Sequence, residues 1–197
     1  YFQSGGWVML PLIALTIVLW YALGYRYAVL RVARSKYSVR LLLDRYLDGK
    51  WRQPRSLVEH ALMTAVSRKR LHVAPLRAHL VTDFWPYERE LERFQVLIKT
   101  IVMIAPLLGL LGTVGGMIET FDSLQDMDLF SQSGGIAGGI SQALVTTQFG
   151  LAIAIPGLLV NGMLNKRKTD IELQLAQVVD VVEVTDISQQ RKKHHAV

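Results

Sequence analysis

Three runs of the chain carry no charged residue: Trp7 to Tyr25, Thr100 to Ile118 and Gly134 to Asn165. An α-helix needs roughly 20 apolar residues to cross hydrocarbon, so each run reads as a membrane-spanning helix. The first is rich in Leu, Ile and Val and carries Trp7 and the Trp20-Tyr21 pair near its ends, where aromatic rings favour the interface. Between the first two runs the pattern turns amphipathic. Arg26 to Leu47 can continue the first helix, Gly49 and Pro54 break it, and Arg55 to Arg70 forms a second helix with Val58, Leu62, Ala65 and Val66 on one face. Pro75 and the Trp85-Pro86 step predict further breaks. From Tyr87 onward the opposite-charge pairs Arg89/Glu92 and Glu90/Arg93, three residues apart, predict a helix that runs straight into the second span. Beyond the third span, Leu164, Ile171, Leu175, Val178 and Val182 trace a heptad seam, which packs either on partner chains or on the chain's own loop helices.

The boundaries that follow are Tyr1 to Gly6 as a tag remnant, 7–25 as the first transmembrane helix, 26–99 as a basic helical cytoplasmic loop and 100–118 as the second transmembrane helix. An acidic periplasmic turn at 119–133, a third transmembrane helix at 134–165 and a cytoplasmic C-terminal helix and tail at 166–197 complete the reading. Tyr1-Phe2-Gln3-Ser4 matches the end of a protease site used to remove expression tags, so the natural chain is expected to begin near Trp7. The expected fold is an all-α integral membrane protein of three transmembrane helices extended into the cytoplasm.

Charge supplies the orientation. Charged residues make up 19% of the chain, against about 25% in an ordinary soluble domain. All 22 Lys and Arg fall between Arg26 and Lys99 or between Lys166 and Lys193. The connection from Glu119 to Ser133 instead holds Glu119, Asp122, Asp126 and Asp128 and no base. Because Lys and Arg are retained on the cytoplasmic side, the N-terminus is expected outside and the C-terminus inside. Nucleic-acid binding is the rival reading of the basic balance, but the charge follows the expected topology instead. The absence of cysteine excludes disulfides, thiolate metal sites and cysteine nucleophiles, and none of the five His lies in an apolar run, so no metal site and no cofactor is expected.

The second and third spans are dense in small residues. Gly109, Gly112, Gly115 and Gly116 fall within eight positions, and Gly134, Gly135, Gly138 and Gly139 open the third span. Gly112/Gly116 and Gly135/Gly139 are GxxxG pairs that let helix backbones approach closely. Polar residues stand beside them: Thr113, Ser141, Gln142, Thr146, Thr147, Gln148 and Asn161, each costly if turned toward lipid. Together they favour a polar seam, or a lumen within an oligomer. Gln142 and Thr146 share a face, and Thr147 lies about 100° further round the helix. No titratable side chain occurs in either span, so proton movement would need a carboxylate from a partner or from Glu119 at the outer margin, a candidate for the periplasmic mouth.

The strings GLLGTVGGMIETF and GGISQALVTTQFGLAIAIPGLL resemble the MotA/TolQ/ExbB proton-channel family, and its ExbB-like members most. The resemblance implies a subunit of a motor in the bacterial inner membrane, its copies forming a pentameric ring around transmembrane helices of a smaller, single-span ExbD-like partner. Proton flow through an Asp on that partner would energise a TonB-like protein, which opens outer-membrane transporters. Thr113 and Thr147 match the family threonines beside that Asp, with Gln142 and Thr146 placed in the same ion pathway. A threonine hydroxyl donates to a carboxylate and binds water without holding charge. Gln142 is a departure, standing where well-studied relatives carry Glu; it keeps the shape and the hydrogen bonding but cannot titrate. The alternatives are a TolQ-like subunit of the Tol-Pal envelope system and a non-conducting membrane scaffold. An enzyme is not expected: no metal-spaced His cluster or nucleophile motif occurs, and GLLGTVGG lacks the Lys of a phosphate loop.

Overall fold

A computed structural model describes residues 6–35, 37–48, 53–71, 75–125 and 133–185. The secondary structure there is helical: α1 (Met9–Ala33), α2 (Val39–Leu47), α3 (Leu57–Arg70), α4 (Leu76–Glu92), α5 (Gln95–Gln125) and α6 (Ser133–Val184). Three segments are long and apolar enough to cross a membrane: α1, the stretch Leu76–Leu124 that ends in α5, and α6. At 1.5 Å per residue the 52 residues of α6 reach about 78 Å, over twice the roughly 30 Å of hydrocarbon. About 20 of those residues are enough to cross that layer.

The chain divides into two units. The first joins Tyr1–Tyr25 to Phe94–Met163, and the second joins Arg26–Arg93 to Leu164–Val197.

In the first unit α5 and α6 run antiparallel, with Ser123 near Gly135 at one end of the contact and Ala105 near Gly150 toward the other. From α1, Leu19 reaches Gly157 beside Val102, and Leu12, Leu19, Ala22 and Leu23 are buried. The face of α5 away from this packing exposes Leu107, Leu110, Val114 and Ile118, as a helix facing lipid or a further helix would.

In the second unit the α3 face Val58, Ala61, Leu62, Ala65 and Val66 is fully buried. Leu80, Phe84 and Leu91 of α4 are buried too. The heptad residues Leu164, Ile171, Leu175, Val178 and Val182 are at most 2% exposed, so the chain's own helices cover that seam. Helix α3 begins with a cap: the Glu59 N–H donates to Ser56 Oγ at 3.3 Å, and Glu59 Oε2 accepts from the Arg55 N–H at 2.7 Å. At its other end Lys69 donates to the carbonyls of Val182, Glu183 and Thr185, satisfying the open C-terminus of α6.

Three helix boundaries differ from the sequence expectation. Helix α1 stops at Ala33 rather than continuing to Leu47; Ser35 is buried, its Oγ accepts the Tyr37 N–H at 3.3 Å, and this local bond competes with the helix ladder. Helix α4 passes through Pro86 instead of breaking at Trp85-Pro86. Pro86 removes the N–H that would meet the Thr82 carbonyl. Burial of Leu80, Phe84 and Leu91 on both sides of it keeps the helix continuous. Finally, α4 does not run straight into α5. Arg93 is extended (φ −52, ψ 135) and Phe94 adopts φ +62, a left-handed conformation costly for an aromatic residue. Edge-to-face contacts to Tyr21 and Tyr25, with ring centroids 6.4 and 5.2 Å away, hold Phe94 there.

Candidate functional site

The polar residues of the two spans are positioned by a seam of small side chains. On α5 it runs through Ala105, Gly109, Gly112, Gly116, Thr120 and Ser123; on α6 it runs through Gly135, Gly139, Ala143, Thr146, Gly150 and Ala154. Steps of three and four residues keep each set on one helix face. The backbones touch. A Cβ added at Gly109 would lie 3.0 Å from the Thr146 carbonyl oxygen, and one at Gly150 would lie 2.7 Å from that of Ala105. At Gly116 it would meet the Gly139 carbonyl oxygen at 2.5 Å, and at Gly112 it would enter the Thr146 side chain. Gly135 packs on Ser123 and Gly139 on Thr120. Gly109, Gly112, Gly116, Gly135 and Gly139 all lie in this contact. Gly150, Gly157, Thr120 and Ser123 were missed, although continuing the same spacing from Gly139 through Thr146 would have found the first two. Gly115 and Gly138 face open space.

The four polar candidates separate around this seam. Thr146 lies inside it, 0% exposed, its hydroxyl shared between the Gln142 and Ala143 carbonyls at 3.0 Å each. Thr147 is half-buried beside it and donates to the Ala143 carbonyl at 3.1 Å and, across the helix pair, toward that of Gly109 at 3.4 Å. Thr113 is likewise half-buried, its hydroxyl on the Leu110 carbonyl at 2.6 Å. Gly112 and Thr146 face one another, so Thr113 and Thr147 each stand one residue beyond a facing pair. In an antiparallel pair equal steps of about 100° lead off the seam on the same side. The two threonines therefore share a flank.

Gln142 turns the other way, four residues before Thr146 and about 140° from Thr147 around α6. It is half-buried, close to the turn at Gly6. Glu119 is exposed near the end of α5, one residue before the buried Thr120, which puts it on the flank of Gln142 rather than of Thr113. The structure thus pairs Thr113 with Thr147 and sets both apart from Gln142 and Glu119. Lys99, Glu119 and Asp122 are the charged residues among those described in the first unit, all toward the ends of α5. Among the described residues no three His, Cys, Asp or Glu come together as metal ligands.

Such an arrangement can pass polar contacts along a helix flank without holding a charge. The chain's sequence from 52 to 177 matches the profile of the MotA/TolQ/ExbB proton channel family. The chain belongs to that family. An ExbB-like biopolymer transport protein of Synechocystis is 33% identical over 172 residues, covering 81% of this chain and 67% of the relative. Another from Helicobacter pylori is 37% identical over 115 residues, 56% of this chain and 73% of its own. The Tol-Pal system protein TolQ of Haemophilus influenzae is 31% identical over 83 residues, 42% of this chain and 36% of TolQ. This MotA/TolQ/ExbB member is a multi-pass membrane protein, and its family match includes the whole α5·α6 seam.

The second unit carries a charged cluster of its own. Arg26 is buried and donates to Asn165 Oδ1 at 2.8 Å. Lys168, beyond the apolar run of α6, bridges Glu92 at 2.8 Å and Glu172 at 3.1 Å. Burial opposes the Lys168 charge, but its hydrogen bonds and attraction to Glu92 and Glu172 outweigh that and hold its pKa above the ordinary amine value.

Proposed function

We propose that this chain is an ExbB-like stator subunit of the bacterial inner membrane which, with a single-span ExbD-like partner, uses the proton-motive force to energise a TonB-like protein for outer-membrane transport. The observation that carries the proposal is the Thr113/Thr147 flank: two half-buried hydroxyls on one side of a glycine-packed helix pair, within its charge-free runs. A proton path there needs an acid, and the spans contain none. The partner therefore brings a membrane carboxylate to that flank, where the carboxylate takes up and releases the proton while the hydroxyls donate hydrogen bonds to it and position water for the transfer. Gln142 and Glu119, on the opposite flank, line the ring's outer mouth rather than the carboxylate's path, and Thr146 holds the seam.

The chain assembles as a pentameric ring, N-terminus periplasmic and C-terminus cytoplasmic. The outer face of α6 supports assembly: Gly138, Ser141, Gln148, Ala152, Ile155 and Leu159 repeat at three, seven, four, three and four residues and are exposed. Pro156 also deprives the Ala152 carbonyl of its helical N–H. Polar groups turned outward in hydrocarbon are costly, and a neighbouring copy satisfies them. The boundaries proposed for the bilayer are 7–25, 100–118 and 134–165, with 26–99 and 166–197 inside.

The test is co-expression with the ExbD-like protein, followed by native mass spectrometry of the complex and proton flux after reconstitution. Five chains retaining a smaller subunit, with flux that requires that subunit's Asp, are expected. Assembly that never retains such a subunit, or conducts without its Asp, would refute the proposal.

A further inference from the structure

Several basic residues of the second unit have acidic partners. Arg68, Arg77, Arg93 and Lys168 each pair with an acid. Arg31 and Arg34 are exposed and, among the described residues, make no ion pair, hydrogen bond or ring contact, although guanidinium groups pair readily where an acid is near. Helix α1 has no acid anywhere along its length. Tyr27 and Arg31 stand four residues apart on one face of α1, and Arg34 follows directly after its last residue. From α6 the Arg167 guanidinium lies 5.5 Å from the half-exposed Tyr27 ring, adding a third cation to that face.

Their depth is specific. Tyr25 closes the first charge-free run, and Arg31 stands six residues later, about 9 Å along the helix. The headgroup layer begins where hydrocarbon ends and is roughly 5–8 Å thick on each side. Long arginine side chains reach back into that layer, and an exposed tyrosine ring prefers it. A planar guanidinium grips a phosphate through two parallel hydrogen bonds.

We propose that Arg31, Arg34 and the Arg167–Tyr27 stack form a docking surface for the phosphate groups of anionic phospholipids in the surrounding leaflet. Lipid is the occupant because Arg31 and Arg34 are exposed just beyond the first charge-free run, α1 has no acid to pair them, and an exposed tyrosine ring lies beside them.

The full chain is reconstituted in nanodiscs of equal phosphatidylglycerol and phosphatidylcholine, and the lipid retained after detergent extraction is measured by native mass spectrometry. Phosphatidylglycerol enrichment is expected, falling roughly fivefold for Arg31→Gln or Arg34→Gln alone and about 25-fold for both. Arg40 and Arg55 are also exposed and lie elsewhere in the chain. The pair Arg40→Gln with Arg55→Gln removes the same charge and should leave enrichment unchanged. Equal losses from the two pairs would reduce the effect to net charge and overturn the site, as would no enrichment in the parent. Displacement of the lipid by inorganic phosphate at millimolar concentration would reassign the surface to a free anion. The single variants carry the test if the double variant is not recovered in folded form, which circular dichroism reports.

Discussion

Thr146 and Thr147 are adjacent, and their surroundings give them different work. Thr146 is enclosed under Gly112 with its hydroxyl satisfied by its own helix, whereas Thr147 opens onto the flank it shares with Thr113. Thr147→Val keeps the volume and removes the hydroxyl, so reconstituted proton flux should be lost while the complex keeps its mass on native mass spectrometry. Thr146→Val exchanges a hydroxyl bonded only within its helix for a methyl, so its effect on thermal stability should stay within about 1 kcal/mol and flux should persist. Equal flux in the two variants would remove the distinction between seam and flank. The sequence marked both threonines, along with Gln142, because all are polar in an apolar run. Which of them faces the neighbouring helix was not legible: it depends on the register of α5 against α6, which no local pattern sets. Lys168 gives a pH prediction. Its folded pKa is raised above 10.5, so its contribution to stability is complete below the unfolded lysine value and is lost as pH rises through the folded one. Thermal stability should therefore be flat through neutrality with an alkaline fall above pH 10.5, and Lys168→Met should diminish that fall.

At the scale of helices, the two kinds of glycine predict opposite responses. Gly116→Val drives a side chain onto the Gly139 carbonyl and should cost about 1–3 kcal/mol, seen as a lower unfolding temperature in detergent and loss of assembled complex. Gly115 lies one residue away with nothing near its Cβ position, and Gly115→Ala should be neutral to stabilising by up to about 1 kcal/mol through helix propensity. The long apolar helices were legible because a charge-free run of that length is seldom anything but a membrane span. The interruptions were not. The end of α1 rests on one Ser35 hydrogen bond, and the α4–α5 break rests on Phe94 being held by two rings some 70 residues earlier in sequence. Proline misled in the other direction at Pro86, where flanking buried residues outweigh one missing backbone bond.

For the molecule as a whole, the outer face of α6 is where a copy-to-copy contact would show. Gln148→Leu removes an exposed amide in the apolar run without touching the inner seam. It should lower the fraction of ring on native mass spectrometry and leave the helical content measured by circular dichroism unchanged. A full yield of ring from this variant would move the contact to another face. The basic and acidic segments alternate along the chain, which is the ground for the expected topology, but they carry no information on which surfaces meet, because packing within hydrocarbon is decided by small and polar side chains rather than by charge.

Helix α6 also has a mechanical consequence. A helix of 52 residues is held by successive backbone hydrogen bonds, each of which resists bending. The ladder lacks a rung at Pro156, where the Ala152 carbonyl has no backbone donor. Bending strain concentrates at the weakest section of a beam, so α6 bends more easily at Pro156, nine residues beyond Thr147, than along its uninterrupted turns.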